Sequence, residues 1–246
     1  MKLLRYTIRR QLMTKKASVT FVRFGIVLVI IIGGILMLHK SASGKEQTEI
    51  IKLPGPKYDS QTSIESALKQ RRSIRDYLDE PLTLAEVSQL LWAAQGITDP
   101  HDYRTAPSAG ARYPLEVYLV VGQVSDLAVG IYKYRPQQHE LVRVADGDKR
   151  HALASAALGQ SCVGDGAVVI VITAVYERTM KKYRQRGIQY VHIEVGHAAQ
   201  NVSLQAVSLH LGTVVVGAFY DDEVQKVLNL PEEEQPLCIM PVGKIK

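Results

Sequence analysis

The run Ala167-Val168-Val169-Ile170-Val171-Ile172-Thr173-Ala174-Val175 restricts the fold of this chain more than any other segment. A strand with one wet face alternates apolar and polar residues, whereas an almost unbroken β-branched run needs cover on both faces. Leu115–Val121 reads as a second buried strand, and 128–135 with 140–144 reads as a hairpin whose turn contains Pro136. Helices supply the cover. Ile64–Gln70 is a short one. Thr83-Leu84-Ala85-Glu86 has the capping-box pattern, and Leu84, Val87, Leu90, Leu91 and Ala94 follow at helical spacing until Gly96. Trp92 on that helix reads as core packing, with a place beside a bound ligand as the alternative. The longest helical pattern is 190–211, where Val191, Val195, Ala198, Val202, Ala206 and Leu209 form one stripe. Ile193, Leu204, Val207 and Leu211 widen it, so this helix reads as buried, part of it in a subunit interface. The order predicts a helix-rich α+β domain with a central, mostly antiparallel sheet flanked by helices. A chain of 246 residues with 46% hydrophobic content suffices for one such domain and an appendage.

The formal net charge of +6 comes from the N-terminus. Lys2, Arg5, Arg9, Arg10, Lys15, Lys16 and Arg23 stand there without a single acid before residue 46, and the remainder is near neutral. That distribution argues against a nucleic-acid partner. Residues 24–38 are uncharged and apolar; counted from Val19, the segment reaches membrane-spanning length, with Arg23 able to snorkel. Ile8-Arg9-Arg10-Gln11-Leu12-Met13 resembles a twin-arginine export signal, and Ser41-Ala42-Ser43 is small enough for a signal peptidase. The expected organisation is a basic cytoplasmic tail (1–18), a transmembrane anchor or signal segment (19–38), a polar linker (39–63) and a catalytic domain (64–246). On this reading the protein is a single-pass, membrane-anchored one with its catalytic domain outside the cytoplasm.

Three guanidiniums and a hydroxyl fall within Arg71-Arg72-Ser73-Ile74-Arg75, directly after the short helix. Arginine grips phosphate oxygens in bidentate fashion and serine adds a directional partner, so the cluster suits a phosphorylated, polar ligand. Taken alone, the same residues are a solvated basic turn. In Pro107-Ser108-Ala109-Gly110-Ala111-Arg112-Tyr113-Pro114, Ser108 and Gly110 permit close approach of backbone to a ligand. Arg104 and Arg112 either steer an anion or are surface cations. Gly217 and Ala218 follow a β-branched strand and read as a ligand-facing turn, with a plain tight turn as the alternative. Cys162 and Cys238 lack metal or redox spacing and read as buried thiols. Glu194 and His197, one helical turn apart, have no second copy to complete a metal site and are read as internally hydrogen-bonded.

Arg71, Arg72, Ser73 and Arg75 resemble the opening motif of the FMN-dependent nitroreductase superfamily. The 107–114 segment resembles its PSxGxxxP loop, 212–219 its late strand and turn, and Pro241-Val242-Gly243-Lys244 its closing motif. Lys182-Tyr183-Arg184, Arg186-Gly187, Gln189-Tyr190, Glu194, Gly196-His197 and Gln200-Asn201 are similar to a run in the SagB-type (thiazoline/oxazoline) dehydrogenases. The resemblance implies a nitroreductase-like fold and an intertwined homodimer. It also implies an FMN held by Arg71, Arg72, Ser73, Arg75, Ser108, Gly110, Gly217, Ala218 and Lys244. Lys182 and Tyr183 match the pair that assists proton removal as hydride leaves a small-molecule or peptide substrate. A NAD(P)H-dependent nitro/quinone reductase and a flavin-binding module without turnover are the alternatives. In the bare sequence 180–186 is also an exposed basic loop.

Overall fold

Strand β5 (Val168–Ala174) is buried at every position and pairs antiparallel with β2 (Leu115–Val121) on one side and β7 (Gln235–Lys244) on the other. The computed structural model describes residues 49–246. In chain order its elements are β1 (Ile50–Lys52), α1 (Ile64–Gln70), α2 (Leu84–Gln95), a 3-10 turn (Ala109–Ala111), β2, β3 (Gly130–Arg135), β4 (Glu140–Asp146), α3 (Arg150–Ala156), α4 (Ser161–Asp165), β5, α5 (Glu177–Tyr183), α6 (Arg186–Ser208), β6 (Leu211–Thr213), α7 (Asp221–Leu228) and β7. The strands form one sheet in the order β1-β4-β3-β2-β5-β7-β6, with antiparallel neighbours throughout.

Each face of this sheet carries its own core, because successive side chains of a strand point to opposite sides. Leu115, Val117, Leu119, Ile170, Ile172 and Met240 meet Leu90, Leu91, Val191, Ala198 and Val202 from α2 and α6. Tyr118, Val120, Val169, Val171 and Ile239 meet Leu153, Cys162, Val163, Val224 and Leu228 from α3, α4 and α7. Both thiols are buried and free. The α+β fold and the antiparallel sheet flanked by helices therefore agree with the sequence pattern, as do α1, the hairpin of β3 and β4, and the capping box of α2. In that box Thr83 Oγ1 accepts from Glu86 N–H, and Glu86 Oε2 accepts from Thr83 N–H.

Several expectations need correction. Trp92 is half-buried and packs edge-on against Tyr58 at 5.6 Å, bordering a cavity rather than filling the core. The stretch 180–186 is not a loop: Met180 to Tyr183 complete α5, which Arg184 ends with a φ of 49°. The long helix runs Arg186–Ser208 rather than over 190–211, so Leu211 opens β6 instead of closing the helix, and Ile193 on its outer side is 48% exposed. Within the stretch read as linker, Ile50–Lys52 pairs with β4, and Lys57 N–H donates to Gln89 Oε1. The membrane-anchored, extracytoplasmic localisation is corrected too: no helix among the described residues is long and apolar enough to cross a membrane. Segment 19–38, on which that expectation rested, lies outside the described residues, as do the tail 1–18 and the twin-arginine-like pair.

Ile170→Ala should destabilise the domain by about 2–5 kcal/mol, because β5 is packed from both sides and cannot collapse around the lost volume. Thr83→Ala should cost about 1 kcal/mol through the cap. Urea unfolding followed by circular dichroism measures both.

Candidate functional site

The residues singled out by sequence gather into two clusters. The first lies on the β7–β6 edge of the sheet. After α1 the chain runs along this edge: Ile74 N–H donates to Thr213 O and Leu78 N–H donates to Lys244 O, each at 3.0 Å. Tyr77 OH donates to Ile74 O at 2.8 Å, and a Cβ on Gly243 would lie 2.8 Å from Tyr77 Cβ. Only a residue without a side chain lets the segment lie this close.

The docked segment presents its cations outward. Arg72 and Arg75 are exposed with Ser73, while Arg71, half-buried, caps α1 through its N–H to Ala67 O. Arg72 Nη1 donates to the carbonyls of Lys69 and Arg71, at 3.0 and 2.7 Å. The charge of Arg75 reaches the Cys162 thiol and the Tyr77 hydroxyl, although burial, the larger effect, raises both pKa values. Lys244 Nζ is held at 2.5 Å by Glu86 Oε1. Burial works to raise the Glu86 pKa, but the bonds from Lys244 and Thr83 outweigh it and hold the carboxylate below its usual range. Beyond β6 the strand returns briefly to β7, with hydrogen bonds between Val216 and Ile239 in both directions, and then exposes Gly217 and Ala218. Nothing lies within 4 Å of a Cβ built on Gly217, and Ala218 O accepts from Gln160 Nε2. A cavity of about 770 Å³ between α1, α2 and α6, bordered by Glu86, Trp92 and Gln205, flanks this edge.

The second cluster forms where α5 meets the loop before β2. Ser108 Oγ accepts from Tyr113 N–H at 2.9 Å, closing the loop, and Arg178 Nη1 donates to Tyr113 O at 3.0 Å. Gly110 has φ 61°, and a Cβ there would lie 2.7 Å from Tyr183 OH and 2.9 Å from Lys182 Nζ. Glycine at this position is thus what lets both side chains close over the loop. Ala111 and Tyr113 also take positive φ, 52° and 46°, a strain of about 1 kcal/mol each that neighbouring contacts must hold. Tyr183 packs edge-on against Tyr190 at 5.0 Å, and Lys182 Nζ lies 5.3 Å from the Tyr183 ring centre.

Behind this loop sits a group whose state the sequence left open. Glu194 is 2% exposed, and neither carboxylate oxygen has a well-aligned hydrogen-bond partner among the described residues. Burial pushes its pKa up to about 7 against the lowering influence of Ser108 and Arg104. Glu234 shows the contrast, since its equally buried carboxylate accepts from Tyr118 OH, Thr173 Oγ1 and Lys133 Nζ. Sequence reasoning gave Glu194 internal hydrogen bonds. An acid among apolar helix positions was the available signal, but its missing partners are a tertiary fact. Among the described residues no group of His, Cys, Asp and Glu could hold a metal.

Helix α6 separates the clusters. Lys182 and Tyr183 precede its first residue, whereas Ile74 packs beside Gly212 just past its last. Twenty-three residues of helix span about 35 Å at 1.5 Å each.

Residues 68–244 match the model of the Nitroreductase family, and the chain belongs to that family of oxidoreductases. A Methanocaldococcus jannaschii protein named as a nitroreductase is 51% identical over 181 residues, covering 74% of this chain and 90% of the relative. The microcin B17-processing protein McbC of Escherichia coli, a SagB-like relative, is 29% identical, over 67% of this chain and 63% of its own. Among solved structures, an Anabaena variabilis protein named as a nitroreductase superposes with a TM-score of 0.72 at 30% identity, over 82% of this chain but 42% of that one. The E. coli microcin synthetase McbBCD complex with truncated pro-MccB17 bound gives 0.63 at 28%, over 82% and 79%.

Glu194 makes stability depend on pH. Its folded pKa, about 7, exceeds the ordinary value of 4.5, so the folded state holds the proton more tightly than the unfolded one. The resulting stability is complete below the unfolded pKa and is lost as pH rises through the folded one, about 3 kcal/mol in all. Urea midpoints at pH 5 and pH 8 should therefore differ less in Glu194→Gln than in the parent protein.

Proposed function

We propose that the protein is an FMN-dependent, SagB-type dehydrogenase that passes hydride between FMN and a small-molecule or peptide substrate, and that it works as a homodimer. The observation that carries this is the separation of the two clusters by the length of α6. A single copy cannot bring Arg72 and Lys182 to one ligand, whereas two copies related by a twofold axis set one edge cluster against the other copy's loop cluster twice over. The name of McbC, a microcin B17-processing protein, and the microcin synthetase complex with truncated pro-MccB17 bound support a substrate of the peptide kind.

The residues fit the cofactor. Arg71, Arg72, Arg75 and Lys244 are cations on one edge, Ser73 adds a hydroxyl beside them, and a phosphate monoester carries nearly two negative charges. Gly217 and Ala218 offer exposed backbone next to that edge, and Ser108 and Gly110 offer a closely packed loop from the other copy. When bound, FMN supplies the hydride acceptor. Lys182 Nζ accepts the proton that the substrate loses as hydride departs, and Tyr183 OH, beside the same Gly110, orients it. The lysine of the closing motif is engaged by Glu86, so cofactor binding draws on an ion pair already formed.

One observation favours a second reading, a NAD(P)H-dependent nitro/quinone reductase: the 51% identical relative is named as a nitroreductase. The visible spectrum separates the two. Protein reconstituted with FMN should be yellow, and bleaching by NADPH would favour the reductase, while bleaching only by another organic donor favours the dehydrogenase. A protein that stays colourless after FMN addition refutes both.

Arg72→Ala or Arg75→Ala should weaken FMN binding by about 1.5–3 kcal/mol each, while Lys181→Ala leaves it unchanged; flavin fluorescence titration reads this. Lys182→Ala should keep FMN bound but slow its anaerobic reduction by the organic substrate by roughly 10²–10⁴-fold, with reduction by dithionite unaffected. Mixing Arg72→Ala with Lys182→Ala chains should restore part of the activity, since one of the two sites in a mixed dimer is then intact.

A further inference from the structure

A second cavity, of about 410 Å³, lies against β2, β3 and the start of α5, with Gln95 of α2 and Arg104 in its wall. Arg104, Lys133, Arg135 and Arg178 line it, and Glu116 is the one acid among its described lining residues. The cations are unevenly matched. Glu116 is shared between Lys133 at 3.2 Å and Arg178 at 2.5 Å, and Lys133 also reaches Glu234 at 2.6 Å. Arg135 stands 3.5 Å from Glu140, whose other oxygen is taken by Lys52 at 2.6 Å.

Arg104 has no carboxylate within ion-pair distance among the described residues. Its Nη1 donates to Gln95 Oε1 at 2.7 Å and its guanidinium lies 4.5 Å above the Tyr113 ring. Burial, only partly offset by Glu116, Tyr113 and Glu194, lowers its pKa. Two buried donors here, Gln95 Nε2 and Arg104 Nε, lack any partner, and Gln95 is 0% exposed. A half-buried guanidinium and a buried amide, each with a donor short of an acceptor, cost stability that an incoming oxyanion would recover. The cavity also stands beside the chemistry. Arg178 and Lys182 are four residues apart on α5 and so share one face of the helix, and Arg178 holds the carbonyl of Tyr113 in the Ser108 loop.

We propose that this cavity is an oxyanion-binding subsite, with Arg104 and Arg178 as its charged contacts and Gln95 as a neutral donor, and that it anchors a carboxylate of an acidic substrate one helical turn from Lys182. The substrate class, a carboxylate-bearing molecule or acidic peptide, rests on the proton-transfer reading of Lys182 and Tyr183; oxyanion binding itself does not.

Isothermal titration of the full chain with succinate and with inorganic phosphate tests it, alongside Arg104→Gln, Arg178→Gln, Arg72→Ala and Lys181→Ala. The expected result is saturable binding of succinate by the parent chain, weakened roughly tenfold or more in Arg104→Gln and Arg178→Gln and unchanged in Lys181→Ala; inorganic phosphate, which also fits the Arg72 edge, counts for this cavity only where the same two variants weaken it. Tighter binding of succinate identifies a carboxylate source, and tighter binding of phosphate a phosphorylated one. If Arg104→Gln fails to fold, the surface variant Arg178→Gln decides alone. Absence of saturable binding, or binding lost in Arg72→Ala and kept in Arg178→Gln, overturns the proposal, the latter result assigning the anion to the Arg72 edge. These readouts need no flavin, so a chain that binds succinate through Arg178 but never FMN would sink the dehydrogenase reading and leave the subsite standing.

Discussion

Burial of β5 on both faces is the constraint from which the rest of the molecule follows. Val168, Ile170 and Ile172 must be covered by α2 and α6, and Val169 and Val171 by α3, α4 and α7, so neither helix layer is optional. With the centre fixed, the strand order leaves β7 and β6 at one edge, and this edge is where the 71–78 segment docks through backbone hydrogen bonds to Thr213 and Lys244. The cationic edge is therefore a by-product of sheet order. Its arginines need no buried contacts of their own, because the backbone beneath them is already held.

The polar groups divide instructively. Glu234, Glu86 and Glu140 are satisfied by hydroxyls or lysines and act as structural pairs. Glu194, Arg104 and Gln95 are buried or half-buried and retain unpartnered atoms, and all three border the 104–113 segment or its supporting helices. Burying polar atoms without partners costs roughly 1–3 kcal/mol each, so a cluster of them beside strained backbone marks a place where stability is given up.

Much of this was legible in the chain. The capping box at Thr83 and Glu86, the 64–70 helix, β2 and the β3–β4 hairpin follow from short-range rules, since caps, turns and period-two alternation are decided by residues a few positions apart. The motifs at 71–75, 107–114 and 241–244 were visible for the same reason. What failed was non-local. Trp92 sits in an apolar helix yet faces a cavity, because Tyr58 from a distant segment leaves room there. Residues 180–183 read as a basic loop because their charges hide a helix whose support is the Ser108 loop and α6. The short β1 was unreadable, since three residues make a strand only when β4 offers its edge.

The sequence by itself determined the double-sided burial of the central strand, the helices that must cover it and the residue types able to hold a phosphorylated ligand. Those properties depend on composition and periodicity along a few consecutive turns of chain. Tertiary structure alone decided which of those residues meet. It brought Gly110 under Lys182 and Tyr183, gave Lys244 to Glu86, left Glu194 and Arg104 short of partners, and set the two clusters at opposite ends of α6. Each of these is a contact between residues far apart in sequence, chosen by the order of strands in the sheet rather than by anything the local chain prefers.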